Sequence, residues 1–394
     1  MQENKPSVPK NIIVLGLVSF FNDLSSEMIY PIVPIFLKSV LGAPAAVVGL
    51  IEGVAEATAS ILKVFSGYFS DKFQKRKSLV VAGYSLSAIS KFLLSWANSW
   101  PFVLFARFLD RTGKGVRTTP RDALIADDKI KGIEGKAFGL HRAMDTMGAV
   151  IGPILAIYAL GFFGNNFNKV FLFAGIPSVV GVLILAALVK EKPKTDTVAV
   201  KKFRFDWRAM PRNFKVFIFI SAIFALGNSS DAFLILRAQD LGLSVSATVW
   251  AYVLLNFIFA STATYAGIIS DKVGEKNALL FGLAIFATVY FAFGQALNGS
   301  MVWLMAAAYG LYFSFSDGVG KAYIAKLVPK ENIATAFGIY QLVIGLGVLL
   351  SSVVAGFLWD RVSHQAPFYF GSAFAALALV LFFFLGSNPQ KENA

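Results

Sequence analysis

The sequence predicts an all-α membrane protein with 12 transmembrane helices in two pseudo-symmetric six-helix bundles. Three observations carry this expectation. The chain is 56% hydrophobic and only 15% charged, where soluble domains carry about 25% charged residues. Apolar runs of about 20 residues recur along it, the length that crosses a hydrocarbon core as a helix. Motifs of the first half also return in the second, about 200 residues later. Gly67-Tyr68-Phe69-Ser70-Asp71-Lys72 is matched by Gly267-Ile268-Ile269-Ser270-Asp271-Lys272, and Ala137-Phe138-Gly139 by Ala336-Phe337-Gly338. Ala123 and Ala126 correspond to Ala322 and Ala325, and Ser25-Ser26-Glu27 to Ser229-Ser230-Asp231. Such parallel repeats put a two-fold axis along the membrane normal, with a substrate site expected between the halves.

Taken in order, the predicted crossings are 11–38, 46–66, 78–97, 101–126, 136–160, 169–190, 214–236, 246–269, 277–297, 301–327, 335–358 and 367–386. The polar start lacks a small-residue cleavage site before a short apolar core, so the first segment reads as retained. The longest polar stretch, from Lys190 to Asn213, reads as a cytoplasmic linker whose cations touch anionic lipid. The expected organisation is therefore an N-terminal bundle over 1–190, a linker over 191–213 and a C-terminal bundle over 214–394. An even number of crossings puts both termini on one side. Lys72, Lys75, Arg76 and Lys77 assign that side to the cytoplasm.

This placement accounts for the net charge of +13 by topology, so no nucleic-acid partner is expected. With no cysteine and only His141 and His364, disulfides and thiolate metal sites are excluded, and no metal or cofactor is expected. No nucleophile–base pair stands out, so the chain does not read as an enzyme.

The fourth crossing is the most unusual. Arg107, Asp110, Arg111, Lys114, Arg117, Arg121 and Asp122 fall within an arc of about 140° on a helical wheel. Charge facing lipid costs several kcal/mol, so this side must meet protein or a wet cavity. The first crossing carries Asn22, Asp23, Ser26, Glu27 and Tyr30, the last four on one face by i, i+3, i+4, i+7 spacing. Burial and a nearby arginine act on such a carboxylate in opposite senses, which makes Asp23 and Glu27 candidate proton sites. The alternative is permanent pairing with the fourth crossing. The second crossing aligns Glu52, Glu56 and Lys63, read as interhelical pairing, and Lys91 in the third either pairs with an acid or snorkels. In the fifth, His141 either relays protons or is held by Asp145 one turn on, and Arg142 is also in reach of Asp145. Gly148, Gly152 and Pro153 permit close packing and a bend, as Gly113 and Gly115 do in the fourth. The second half offers Asn228, Asp231, Arg237, Asn256, Tyr340 and the i, i+4 pair Asp317–Lys321.

Over nearly its whole length the chain resembles the major facilitator superfamily. The Gly67–Lys77 loop is similar to that family's Gly-x-x-x-Asp-Arg-x-Gly-Arg-Arg motif, with Lys72 and Gln74 as departures. The second copy keeps a glycine at Gly274. Gly148–Ala156 is similar to the Gly-x-x-x-Gly-Pro-x-x-Gly-Gly motif of proton-coupled exporters, with Ala156 replacing one glycine. The resemblance implies a monomeric secondary transporter working by alternating access in a bacterial inner membrane, with both termini cytoplasmic. It implies a small-molecule substrate, protons as the coupling ion, and export by proton antiport. Uptake of an organic anion by proton symport and a non-coupled receptor or scramblase are the alternatives.

On that reading proton coupling falls to Asp23, Glu27, Arg107 and Arg111, with either arginine in the role of the family's buried fourth-helix arginine. Substrate contacts fall to Asn22, Tyr30, Glu56, His141, Asp145, Asn228, Asp231, Asn256 and Tyr340. Gating falls to Asp71, Arg76, Arg117, Arg121, Asp122, Gly152, Pro153 and Asp271.

Overall fold

The computed structural model describes residues 8–73, 75–128, 134–191, 207–208, 210–329 and 332–388. Most of the predicted linker, 192–206 and residue 209, lies outside these residues. So does the side chain of Asp71.

The described residues are helical and contain no strand. The first crossing is α1 (Lys10–Ile29), a short α2 (Val33–Ile35) and a π-helical turn at Phe36–Val40. Pro31 has no N–H to give the Glu27 carbonyl, so α1 ends there and the chain restarts one turn later. Next come α3 (Ala45–Phe73), α4 (Arg76–Ser95), α5 (Trp100–Asp127), α6 (Glu134–Phe162) and α7 (Phe167–Leu188). The second half repeats the plan with α8 (Arg212–Gly227) and α9 (Ala232–Asp240), then α10 (Val245–Val273), α11 (Glu275–Gln295), α12 (Ser300–Leu327), α13 (Ile333–Arg361) and α14 (Ala366–Leu385). Two helix starts are capped by the side chain that precedes them: Asn166 accepts from Lys169 N at 3.1 Å and Ser244 from Ala247 N at 3.2 Å. Gly274, at φ 90°, makes the tight turn from α10 into α11.

Ten helical stretches among the described residues are long and apolar enough to cross a membrane. The α5 helix and α12 complete the 12 crossings; α5 misses the apolar criterion because of the charges it carries.

The chain divides into two compact units. Unit 1 holds Met1–Ile32 and Ile61–Phe203, and unit 2 holds Val33–Ser60 and Arg204–Ala394. The first half of α3 thus groups with the second unit. There the Asp360 carboxylate accepts from Ala45 N at 3.0 Å and Ala46 N at 2.8 Å, the free donors of the first turn of α3.

Unit 1 is built on close pairing of α1 with α6 and of α4 with α5. A Cβ added to Gly148 would lie 2.5 Å from Phe20 O, and one on Gly152 2.5 Å from Leu24 O. Gly83 and Gly113 close α4 on α5 in the same way, with Gly113 O 2.7 Å from a Cβ on Gly83. At the end where α1 begins, Glu191 accepts from Arg76 N at 2.6 Å and Lys77 N at 3.2 Å, and Arg76 Nη1 donates to Ala123 O. Lys77 Nζ donates to Ala186 O at the end of α7. Unit 2 repeats this clamp, with Lys276 Nζ donating to Phe383 O and Gly386 O at the end of α14 and Lys326 paired with the buried Glu275.

Candidate functional site

The charged face of α5 turns inward. Arg107, Asp110, Arg111 and Arg117 are buried, while Phe105 and Phe108 on the opposite side are exposed. The partners of this face come from α1, α4 and α6, and Ser178 of α7 extends them into a polar chain through unit 1.

At one end Ser19 is a junction. Its hydroxyl lies 3.0 Å from Tyr84 Oη and 2.9 Å from His141 Nε2, and it accepts from Arg121 Nη1 at 3.1 Å. Arg121 also pairs with Asp122 at 2.9 Å and with Asp145 at 3.8 Å, and Arg142 reaches Asp145 at 3.4 Å. His141, read either as a proton relay or as held by Asp145, meets Ser19 across the helix pair through Nε2. Arg117, a gating candidate, is buried inside unit 1. Its guanidinium sits 4.6 Å from the Tyr84 ring centroid and donates to Ser87 Oγ at 2.8 Å.

In the middle Asp23 and Asp145 bring their carboxyl groups within hydrogen-bonding reach, with Lys114 and Arg117 in Coulombic range of Asp23. Gly148 sets this approach: a Cβ there would be 3.3 Å from Asp23 Cβ. Glu27 lies one turn further along the same seam, its Cβ 3.0 Å from a Cβ added to Gly152. Asn22 Nδ2 donates to Asp23 Oδ1 at 3.5 Å, and Asn22 Oδ1 accepts from Ser178 of α7 at 3.2 Å. Ser178 in turn accepts from Lys91 Nζ at 3.1 Å. The opening between Ser26, Lys91, Arg107 and Asp110 has about 10 Å³ for the centre of a water molecule, room for about one. Arg107 reaches Asp110 at 3.7 Å. The guanidinium carbons of Arg107 and Arg111 each stand 5.8 Å from the centre of the Tyr30 ring.

Unit 2 presents a different chemistry. Between α8 and α9 the chain leaves the helix at Asn228–Ser230, and side chains satisfy the freed backbone. Ser351 donates to Asn228 O at 2.9 Å, Ser230 N donates to Ser352 Oγ at 3.0 Å, and Tyr290 Oη donates to Ser229 O at 3.4 Å. Beside this break is a cavity in which Asp231 is the one charged lining residue, accepting from Tyr309 Oη at 2.9 Å. Its walls are mainly aliphatic and aromatic, and Thr248 lines it with a buried hydroxyl that has no hydrogen-bond partner among the described residues.

The remaining candidates fall elsewhere. Asn256 donates to Tyr252 O of its own helix at 3.0 Å. Tyr340 stacks on Phe217 in the core of unit 2. Asp317 and Lys321 pair at 2.8 Å on an exposed face. Glu56 is half-buried on α3, and Asp271 ends α10. Sequence reasoning missed Ser19, Tyr84, Ser87, Ser178 and Thr248. Hydroxyls on apolar helices carry no periodic signal that separates these from hydroxyls bonded to their own helix.

A bundle of this kind, with inward-facing charge on apolar helices, defines a polytopic membrane protein. The chain belongs to the Major Facilitator Superfamily, whose profile matches residues 15–237 and 216–394. It is 38% identical over 391 residues to an uncharacterized MFS-type transporter of Methanocaldococcus jannaschii, covering 97% of this chain and 96% of that one. It is 28% identical over 158 residues to the quinolone resistance protein NorA of Staphylococcus aureus, 40% of this chain and 39% of that one. Among solved structures it matches the nucleoside transporter NupG with a TM-score of 0.73 at 15% identity, covering 96% of this chain and 98% of that one. The last likeness is one of fold. The protein is therefore an integral membrane transporter of this family.

Proposed function

We propose that the chain is a proton-coupled exporter of a small organic solute, working by alternating access as a monomer in the cell's inner membrane with both termini cytoplasmic. The observation that carries the proton assignment is the meeting of Asp23 and Asp145 inside unit 1. Two carboxyl groups in hydrogen-bonding reach either share a proton or repel, so gain and loss of one proton changes what holds α1 to α6. Lys114 and Arg117 bring positive charge into range of Asp23, Glu27 is the next acid along the seam, and Arg107 and Arg111, beside Tyr30, are assigned to the same coupling machinery. The likeness to a quinolone resistance protein over 158 residues supports export.

The cavity at Asp231 is the proposed contact for a substrate group. Its apolar walls and single carboxylate suit an apolar group that carries a hydrogen-bond donor or a positive charge. Gating is assigned to the helix ends that carry Asp71, Arg76, Arg121, Asp122 and Asp271, and to Gly152 and Pro153 within α6.

The test is the internal pH of proteoliposomes while organic cations and organic anions are added across a preset proton gradient. Proton movement opposite to added cations supports the antiporter. Protons moving with anions alone would make Arg107, Arg111 and Tyr30 a substrate site and reverse the direction. Solute flux with no proton movement would remove the coupling.

A further inference from the structure

Lys91 is a lysine buried in a membrane-spanning helix, 2% exposed, and proton coupling as described above does not use it. An ammonium in that setting is costly unless partners hold it, and here its partners belong to two separate groups. On one side Nζ donates to Ser178 Oγ, which donates to Asn22 Oδ1, and the amide of Asn22 donates to Asp23. Both intermediaries are neutral, so the hydrogen-bonded line from Lys91 to Asp23 is a relay of dipoles that runs beside the direct attraction of the two charges. On the other side Lys91 shares the one-water cavity with Asp110 and Arg107 of α5 and with Ser26 of α1. The charged groups facing it are Asp110, Arg117 and Arg107 from α5 and Asp23 from α1. α7 contributes the Ser178 hydroxyl. A four-carbon stem allows the ammonium to change partners without moving the backbone.

We infer that Lys91 is a positioning residue for coupling, the movable counter-charge that links the protonation of the Asp23–Asp145 pair to the Arg107–Asp110 pair. This rests on the proton site proposed above. When the carboxyl pair holds its proton, Asp23 needs no cation and Lys91 serves Asp110 across the cavity. When that proton leaves for water, the Ser178–Asn22 line orients the ammonium toward Asp23, and Asp110 is left to Arg107. No proton passes through Lys91; what changes is which acid it compensates. The α1–α6 seam and the α4–α5 pair are thereby made to respond to the same proton.

The test is infrared difference spectroscopy of the purified full-length protein in detergent, following the protonated-carboxyl band through a pH titration. No substrate is needed. Asp23→Asn assigns the band: if the parent shows no band that depends on Asp23, the proton site itself falls. Given that band, Lys91→Met moves its pH midpoint by roughly one unit, the effect of one charge at close range. Lys91→Arg, which keeps the charge, stays near the parent. Ser178→Ala, which keeps the charge and breaks the line, moves the midpoint by a smaller amount and carries the test if Lys91→Met fails to fold. A parent-like midpoint in folded Lys91→Met, or in Ser178→Ala where Lys91→Met does not fold, overturns the inference.

Discussion

Asp23 on α1 and Asp145 on α6 bring their carboxyl groups together across a seam that Gly148 closes, with a Cβ at Gly148 only 3.3 Å from Asp23 Cβ. If the two acids act as one proton site, as proposed, their substitutions are non-additive. Asp23→Asn and Asp145→Asn each abolish proton-driven solute accumulation in proteoliposomes, and the double variant is no worse than either. Independent losses, multiplying in the double variant, would show that the acids work separately.

The seam also sets a steric prediction. Gly148→Leu drives a side chain into the Phe20 carbonyl and the Leu24 amide, which forces α1 from α6 and costs at least about 1–3 kcal/mol. Gly161→Ala, on the same helix with nothing within 4 Å of the added Cβ, is neutral or slightly stabilising by helix propensity. Thermal unfolding in detergent compares the two. An unchanged midpoint for Gly148→Leu would mean that α1 and α6 are not held as closely as described.

The fold was legible because its signals are long and redundant. Apolar runs of helical length, lysines at one set of loops and a repeat in register each point to the same architecture, and the observed helices begin and end within about four residues of the predicted segments, except that α3 runs on to Phe73. Much of the site was legible as residues but not as partners. The inward face of α5 follows from the cost of charge in lipid, so Arg107, Asp110, Arg111 and Arg117 had to be buried. That cost says nothing about which helix receives each charge. Arg117 rests on the face of Tyr84 and donates to Ser87, with Asp23 and Asp110 in range of its charge, and His141 meets Ser19 across the helix pair. Partners of this kind are decided by the packing of non-adjacent helices, and a hydroxyl at the right depth competes equally with a carboxylate.

A third prediction concerns Asp360. It caps α3 through two backbone N–H groups, at 3.0 and 2.8 Å. Asp360→Ala leaves both donors without their carboxylate and is expected to cost about 1 kcal/mol, in the range of N-cap losses. Asp360→Asn keeps one acceptor oxygen and falls between the two. Thermal scans of the three proteins, under identical detergent, check the order. A midpoint for Asp360→Ala equal to the parent's would show that water replaces the cap without cost.

The Ser19 junction makes a stronger demand. One hydroxyl serves Tyr84, His141 and Arg121, and Ser19 is buried in the seam of α1. Ser19→Ala removes a shared partner from three polar groups at once, and each group left unsatisfied costs about 1–3 kcal/mol unless water enters. Ser19→Thr retains the hydroxyl and is the control for added volume. The expected order of unfolding midpoints is parent, then Ser19→Thr, then Ser19→Ala. The same junction lies between His141 and Arg121, so Ser19→Ala also frees Arg121 to move toward Asp122 and Asp145. If Ser19→Ala unfolds with the parent while Ser19→Thr is the less stable, packing and not hydrogen bonding governs this position.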